Sequence, residues 1–536
     1  MLGLAPGATD SRRDSTRWRW LASAPAVLLA GVAQAMSFSP FEAWWLQLLA
    51  LGVLAHATAR ATVRRAAWMG WLFAVGWLVA GFWWLYISMH HYGGLHPALA
   101  GAAVLVLAAL LGLYYAGAMA LWVWLRTGRP GWDIALWSAC WLLAELARAV
   151  VFTGFPWIAS GYAHTVGPLA AWAPWIGVYG LCALAALVAA AVALWLRAMP
   201  LRQRAVPTGV VAALVLLAQG LPGEFTRSTG VLEVSLLQPN IAQELKFDPA
   251  RLESQLVGLM RQLAAARGTL VVTPESVVPL TRSQLSEGYW EGLREQLRPL
   301  PGHAGTKRAA LIGIFVGNDE TGFVNSTLAL PSDPTDARGE YRYGKRHLLP
   351  FGEIIPPGFH WFVTLMGIPL ADQARGQTTA ALPFAGQRLR PLVCYEDLFG
   401  EEIASSAVGD QAATVFVNVS NLAWFGRLLV QDQHLQFSQM RALEFQRPFI
   451  RSTNTGATSV VDHHGHITAR LPPLTEGILE ASVEGRTGTT PYARWLAVCG
   501  LWPLIGGALA IVAGAAWLGR RARWPVSRRP TAPPRP

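Results

Sequence analysis

Long apolar stretches alternate with short polar ones over the first 222 residues, and the pattern then changes. An apolar stretch of about 20 residues is long enough for a helix to cross a bilayer. Seven such stretches, three of them short, precede residue 223, and one more begins near residue 494. The pattern therefore predicts about eight membrane-spanning helices. The predicted spans are 20–36, 41–57, 66–89, 97–125, 132–152, 168–196, 206–222 and 494–518.

The polar region in between alternates short β-branched runs with amphipathic stretches, which is typical of a layered α/β domain. Asp248 followed by Pro249 predicts the start of a helix that runs to about Gly268. Further helices are predicted at 284–297, 397–408 and 431–446, and strands at 231–238, 269–273, 309–317, 323–331, 388–394, 413–418, 449–453 and 457–462. The predicted domains are a membrane domain at 1–222, an α/β domain at 223–487, and a last helix with a basic tail at 488–536.

The composition supports a membrane protein, with 53% hydrophobic and only 14% charged residues. A net charge of +11 would suggest nucleic-acid binding in a soluble protein. Here the excess lies in short Arg-rich segments beside the apolar spans, whereas the alternate loops 37–40, 90–96 and 153–167 contain no Lys or Arg. Positive loops face the cytoplasm, so we expect both termini inside, residues 223–490 outside, and no nucleic-acid binding.

The first span has a second interpretation, because its preceding arginines and Ala33-Gln-Ala35 also resemble a cleavable signal peptide. The α/β domain lies outside in either case. Within the fifth predicted span, Glu145 and Arg148 are ionisable groups at membrane depth. Such groups are candidates for head-group binding. We favour a pair between the two.

Cys394 is the only one of four cysteines outside a long apolar run, and it follows a strand-like stretch. Cysteines in an oxidising compartment are usually paired, so an unpaired one points to reactivity, with a buried inert thiol as the alternative. A neutral thiol needs a base to become a nucleophile. Glu275 is a candidate base, and Lys345 offers a fixed charge for an oxyanion. Spacing alone supports this grouping weakly, since most such residues are surface pairs and core thiols.

The motifs around these three residues strengthen the grouping. They are Leu237-Gln-Pro-Asn-Ile241, Thr273-Pro-Glu-Ser276, Gly344-Lys-Arg-His-Leu-Leu-Pro-Phe-Gly-Glu353, Cys394-Tyr-Glu396, Asn418-Val-Ser-Asn421, Ala423-Trp-Phe-Gly426, Gln433-His-Leu-Gln436, Met440-Arg-Ala-Leu-Glu444 and Arg451-Ser-Thr-Asn-Thr-Gly456. In this order they resemble the nitrilase (carbon–nitrogen hydrolase) superfamily with its Glu-Lys-Cys triad. With seven spans before the domain and one after it, the chain resembles the apolipoprotein N-acyltransferases of bacterial envelopes.

The resemblance implies a helical membrane bundle joined to an α-β-β-α sandwich. It implies an acyltransferase that moves the sn-1 chain of a phospholipid, through a cysteine thioester, to the N-terminal amine of a diacylglyceryl apolipoprotein. It further implies a bacterial inner-membrane protein with its catalytic domain on the periplasmic side. We expect a monomer, no cofactor and no metal.

The resemblance also assigns roles to single residues. Glu275 is the base, Lys345 stabilises the oxyanions and Cys394 is the nucleophile. Glu353 is expected to orient Lys345 or support the base, and Tyr395 and Glu396 to line the pocket. The alternative for Glu353 and Glu396 is structural hydrogen bonding to loop N–H groups. The remaining expected substrate contacts are Phe247 and Trp424.

Two positions depart from the family pattern. Phe247 stands where members often carry Trp, and Leu422 where they often carry Asp. Both affect substrate handling more than the chemistry, because neither belongs to the triad.

The apolar, proline-interrupted segment 354–370 is expected to be a mobile flap that dips into the outer leaflet, with an internal core loop as the alternative. Two other functions compete with the acyltransferase. A membrane-anchored amidase would pass the acyl group to water, but a soluble amide needs no membrane bundle. A transporter with a degenerate sensor domain would show paired broken helices and midplane charges, which the sequence lacks.

Overall fold

The computed structural model describes residues 24–299, 307–355, 358, 360–361 and 372–523. Its N-terminal part is helical. The helices are α1 (Ala24–Ala35), α2 (Trp44–Thr58), α3 (Val63–Phe82), α4 (Pro97–Leu125), α5 (Pro130–Val150), α6 (Ala173–Ala193) and α7 (Leu201–Gly220).

Helices occupy all eight predicted positions within the described residues, and six of them are long and apolar enough to cross a membrane. Helices α1 and α2 are shorter, so the count of eight spans stays a prediction. The third predicted span, 66–89, covers most of α3, which ends at Phe82, and two short helical segments that follow it, Leu85–Ile87 and Ser88–Tyr92. The eighth span was predicted to begin too early, since the helix that is long and apolar enough to cross a membrane begins at Trp502. Gly500, with φ of +56°, separates a helix at Pro491–Cys499 from one at Trp502–Arg523.

The pair expected inside the bundle is present. Arg148 Nη2 lies 2.8 Å from Glu145 Oε2, and both side chains are fully buried. The remaining donors of Arg148 reach the hydroxyl of Tyr115 and the carbonyls of Phe155 and Trp157. A buried ion pair is tolerated when its other hydrogen-bonding groups are also satisfied. These contacts tie α4 and α5 to the loop that follows α5.

The α/β domain contains twelve strands in the described residues. They are β1 (Thr226–Gln238), β2 (Leu270–Val272), β3 (Ala309–Asn318), β4 (Gly322–Pro331), β5 (Arg342–Gly344), β6 (Leu382–Phe384), β7 (Gln387–Val393), β8 (Val415–Ser420), β9 (Phe449–Thr453), β10 (Ser459–Val461), β11 (Ile467–Arg470) and β12 (Gly477–Gly488). One sheet has the order β12-β1-β2-β3-β4-β5, and the other has the order β11-β10-β9-β8-β7-β6. Strands β1, β2 and β3 are parallel, as are β7, β8 and β9.

The two sheets pack face to face through apolar side chains such as Val234, Leu311, Val393 and Val417. Outside the first sheet lie α8 (Pro249–Ala265) and α9 (Glu287–Glu295), whose Leu263 and Leu293 bury against it. Outside the second sheet lies α10 (Val430–Phe445). The predicted α-β-β-α sandwich is confirmed. The helix predicted at 397–408 is confirmed only for its later part: Phe399 (φ −102°, ψ 80°) interrupts it, and a short α-helix at Gly400–Ile403 continues into a 3-10 helix at Ala404–Ala407.

Helix α10 is also the contact with the membrane bundle. The indole N–H groups of Trp84 and Trp157 both donate to Gln433 Oε1, at 3.1 and 2.8 Å. The backbone N–H of Val178 donates to Glu444 Oε1 at 2.6 Å. Almost every residue of α10 is buried, since the helix has the sheet on one side and the bundle on the other. The α/β domain is therefore fixed to the bundle through polar contacts as well as apolar ones.

Candidate active site

Three strand ends bring the triad residues together. Glu275 lies three residues beyond the end of β2, Lys345 follows β5, and Cys394 follows β7. The carboxyl ends of parallel strands are where α/β sheets form ligand crevices. The ammonium of Lys345 lies 3.7 Å from Glu275 Oε1, and the charges of both residues act on the Cys394 thiol.

Cys394 has an unusual backbone for a residue that is not glycine, with φ of +56°. This left-handed conformation is strained for an L-residue and persists where surrounding contacts hold it. Asn418 Nδ2 donates to the Cys394 carbonyl at 2.7 Å, and the Tyr395 N–H donates to the thiol. Burial raises the pKa of Cys394 and the Glu275 charge raises it further, while Lys345 opposes both. The thiol therefore needs a neighbouring base to ionise at neutral pH.

Glu275 is buried and held on both carboxylate oxygens. Asn325 Nδ2 donates to Oε1 at 2.6 Å, and the backbone N–H of Asn421 donates to Oε2 at 2.8 Å. The carbonyl of Glu275 accepts a hydrogen bond from Lys246 Nζ at 2.9 Å. The carboxylate is thus fixed in one orientation while it stays beside the thiol.

Lys345 is bonded to the second acidic residue of the site. Its Nζ lies 2.7 Å from Glu353 Oε1, and the backbone N–H of Leu349 donates to Glu353 Oε2 at 2.9 Å. Burial alone would lower the pKa of Lys345, but the negative charges of Glu353, Cys394 and Glu275 outweigh it and raise the pKa well above its usual value. The side chain therefore remains an ammonium throughout the physiological range.

Tyr395 and Glu396 are both buried. The Tyr395 hydroxyl donates to the carbonyl of Leu348 at 2.8 Å, and the Lys345 ammonium lies 5.6 Å from the ring centre. The donors to Glu396 are the Tyr343 hydroxyl and three backbone N–H groups, those of Arg346, His347 and Val393. Glu396 thus makes the structural bonds to loop N–H groups that were the alternative to lining the pocket.

The expected substrate contacts are on the surface. Phe247 is 51% exposed and Trp424 is 38% exposed, and the Trp424 ring packs edge-on against Tyr92 at 5.6 Å. Leu422 is buried, at 1% exposure, so this position places an apolar side chain in the interior. Most of the expected flap, residues 356–357, 359 and 362–370, lies outside the described residues.

Sequence reasoning missed several residues that hold the triad. Asn325 and Lys246 contact Glu275 directly, while Gln243 and Asn454 bond to the Asn421 side chain. Asn421 and Asn454 lie within motifs that the sequence had singled out without a role. Asn325 lies in none of the motifs. It reaches the site because its strand, β4, pairs with β5, the strand that Lys345 follows.

Among the described residues, one group of three side chains has metal-ligand atoms within mutual reach: Glu224, His463 and His464. The second oxygen of Glu224 lies 2.9 Å from Arg486 Nη2, so this group already forms an ion-pair cluster. The carboxylates of Glu275 and Glu353 are engaged by ammonium, amide and backbone N–H donors.

An α-β-β-α sandwich with glutamate, lysine and cysteine at its strand ends defines a carbon–nitrogen hydrolase domain. Residues 233–492 match the family described as carbon–nitrogen hydrolase, and residues 30–191 match the apolipoprotein N-acyltransferase N-terminal domain. The chain belongs to the apolipoprotein N-acyltransferase family. The predicted membership is confirmed, and with it the prediction of an acyltransferase.

Two relatives illustrate the match. The apolipoprotein N-acyltransferase of Verminephrobacter eiseniae is 45% identical over 89% of this chain and 93% of its own length. That of Ralstonia nicotianae is 41% identical over 94% of each chain. Among solved structures, Nit3 of Saccharomyces cerevisiae, a member of the nitrilase superfamily, aligns with 47% of this chain and 90% of its own at 16% identity and a TM-score of 0.35.

Proposed function

We propose that this chain transfers the sn-1 acyl chain of a phospholipid, through a thioester on Cys394, to the N-terminal amine of a diacylglyceryl apolipoprotein. The observation that carries the proposal is the placement of Glu275 and Lys345 at a strained, partly buried Cys394 in a domain fixed to an apolar helical bundle. Both substrates carry acyl chains, and each buried CH₂ is worth about 0.8 kcal/mol, so a membrane-bound site avoids moving them through water.

In the first half-reaction Glu275 takes the proton of the Cys394 thiol, and the sulfur attacks the ester carbonyl. The resulting oxyanion faces the Lys345 ammonium and the backbone N–H of Tyr395. When the tetrahedral intermediate collapses, the ester C–O bond breaks and Glu275 returns the proton to the leaving lysophospholipid oxygen. The products are a lysophospholipid and a Cys394 thioester.

In the second half-reaction the neutral amine of the apolipoprotein attacks the thioester carbonyl. Glu275 accepts a proton from the attacking nitrogen, and Lys345 again faces the oxyanion. The C–S bond breaks and the sulfur regains a proton from Glu275. The amide product leaves and the free thiol is restored, which makes the cycle a ping-pong reaction.

The supporting residues divide into two groups under this proposal. Glu353 holds the Lys345 ammonium, Tyr395 packs beside that ammonium, and Glu396 holds the loop between β5 and Glu353. Phe247 and Trp424 are exposed apolar side chains that suit contact with acyl chains. They are expected to affect the choice of substrate more than the rate of the chemical step.

The proposed setting is the bacterial inner membrane, with a monomeric protein whose α/β domain faces the periplasm. The distribution of arginines between alternate loops supports this orientation. The proposed domain boundaries at residues 222 and 487 are consistent with this orientation, because they leave the α/β domain between the seventh and the eighth predicted span.

Replacing the nucleophile tests the function. C394S and C394A are expected to insert normally and to leave apolipoprotein amines unacylated in cells that depend on this gene copy. Normal N-acylation by C394A, measured by mass spectrometry of a lipoprotein N-terminus, would overturn the proposal.

A further inference from the structure

Lysine is rare in this chain. Of its 43 Lys and Arg residues only three are lysines, namely Lys246, Lys307 and Lys345. The chain thus uses arginine almost everywhere that a positive charge is sufficient. Lysine differs in offering a compact ammonium with a pKa that responds to burial. Two of the three lysines lie buried beside Glu275, which suggests that both places need an ammonium.

Lys246 is one of these two and has no role in the proposed mechanism so far. It ends the short helix Gln243–Lys246, it is 2% exposed, and its Nζ donates to the carbonyl of Glu275 at 2.9 Å. Its charge interacts with Glu275 and Cys394. A buried ammonium costs free energy unless nearby anionic groups compensate for it.

The four charged side chains named so far balance when Lys246 is counted, and the buried pair of Arg451 with Asp397 nearby is neutral by itself. Glu275 and Glu353 carry two negative charges, while Lys345 and Lys246 carry two positive ones. Lys345 is committed to Glu353 at 2.7 Å, whereas it lies 3.7 Å from Glu275. Proton transfer from Cys394 to Glu275 moves a negative charge without changing the total. Without Lys246 the site would carry one net negative charge, and each negative neighbour disfavours a thiolate.

We propose that Lys246 is a positioning residue of the catalytic centre: its ammonium holds the backbone of Glu275 and supplies the second positive charge that lets Cys394 form its thiolate. The inference rests on the proposed role of Cys394 as the nucleophile. Burial lowers the pKa of Lys246 to about 8, with the charges of Glu275 and Cys394 opposing this effect. The side chain is therefore mostly charged at neutral pH.

The experiment measures how the alkylation rate of Cys394 depends on pH in the full-length detergent-solubilised protein. Iodoacetamide is the probe, and mass spectrometry of the Cys394 peptide separates its adduct from that on the exposed Cys499. K246M is expected to move the midpoint of the profile up by about one pH unit, which corresponds to about tenfold slower alkylation at neutral pH. K246R retains the charge and is expected to stay near the wild-type midpoint.

K307M is the matched control, because the Lys307 side chain is 63% exposed and lies 3.9 Å from Asp333 on the surface. It is expected to leave the profile unchanged. An unchanged midpoint in K246M, or an equal shift in K246R and K246M, would overturn the inference.

Alkylation requires no acyl substrate, so the two proposals can fail separately. A shifted midpoint in a protein that never forms acyl-Cys394 keeps the effect of Lys246 on the Cys394 thiol and removes the proposed function. An unshifted midpoint in a protein that does form acyl-Cys394 supports the proposed function and overturns the role of Lys246.

Discussion

Lys345 is bonded to Glu353 rather than to the candidate base: its Nζ lies 2.7 Å from Glu353 Oε1 and 3.7 Å from Glu275 Oε1. The difference between these two distances indicates that Glu353 and Glu275 have different roles. Glu353 fixes the ammonium, and Glu275 keeps its oxygens for Asn325, Asn421 and the proton of the thiol. An ammonium held in advance needs no reorganisation when an oxyanion forms beside it.

Removing the charge of Glu353 tests this division. E353Q is expected to lower the rate of acyl transfer by about 100-fold, the effect of losing one preorganised oxyanion donor, because Lys345 is then drawn towards Glu275. KM for the phospholipid is expected to change little. E320Q, at an exposed position of the same domain, should retain wild-type kinetics. Wild-type acyl transfer by E353Q would contradict the orienting role.

Glu275 acts on the thiol in two opposite ways, and E275Q separates them. Its negative charge raises the pKa of Cys394, so its removal lowers that pKa and increases the thiolate fraction at a given pH. Alkylation of Cys394 by iodoacetamide at pH 7 is therefore expected to become several-fold faster. Acyl transfer is expected to fall by about 100-fold or more, because the base is lost. If alkylation and acyl transfer fell together, Glu275 would not exert this electrostatic effect on the thiol.

Asn325 is expected to position the base. Its amide donates to Glu275 Oε1 at 2.6 Å, and a hydrogen bond to a charged group contributes about 1.5–3 kcal/mol. N325A should slow acyl-enzyme formation by about 10- to 100-fold in a single-turnover assay. N318A, whose side chain caps an exposed turn at the end of β3, is the control. Equal rates in N325A and wild type would exclude the positioning role.

The interface between α10 and the bundle is expected to contribute to stability and not to thiol chemistry. Q433L leaves the indole N–H groups of Trp84 and Trp157 buried without their acceptor, at a cost of about 1–3 kcal/mol for each group. Thermal unfolding in detergent should therefore begin at a lower temperature, while the midpoint of Cys394 alkylation stays constant. Q296L, which removes a bond within α9's last turn, is the comparison. A wild-type unfolding temperature in Q433L would show that these bonds do not stabilise the interface.

The parts of the fold with strong local patterns were predictable. Strands β3, β4, β7 and β9 are continuous apolar or β-branched runs, and their observed bounds lie within one residue of the predicted ones. Strand β12 was missed, although it is long, because it pairs with β1 across more than 200 residues and its faces are only partly buried. Such a strand is stabilised by its partner, and its own sequence carries little signal.

The site was predictable only where motifs were distinctive. The sequence singled out the triad and Glu353, because each follows or lies in a recognisable motif. Lys246 was missed since a buried lysine and a solvated one look alike in a sequence, and only the scarcity of lysine gave a sign. The break at Gly500 was missed because the apolar stretch continues through it. The hydropathy of a stretch of sequence does not show where the backbone leaves the helical conformation.

The most direct test of the account is to look for the acyl group on Cys394. The purified protein is mixed with a phospholipid labelled in its sn-1 chain, digested and analysed by mass spectrometry. We predict a labelled, hydroxylamine-sensitive adduct on the Cys394 peptide, which disappears when a diacylglyceryl lipopeptide is added and reappears as an amide on its N-terminus. Transfer of the label to the lipopeptide by a C394A protein, or turnover without any adduct on Cys394, would contradict the account.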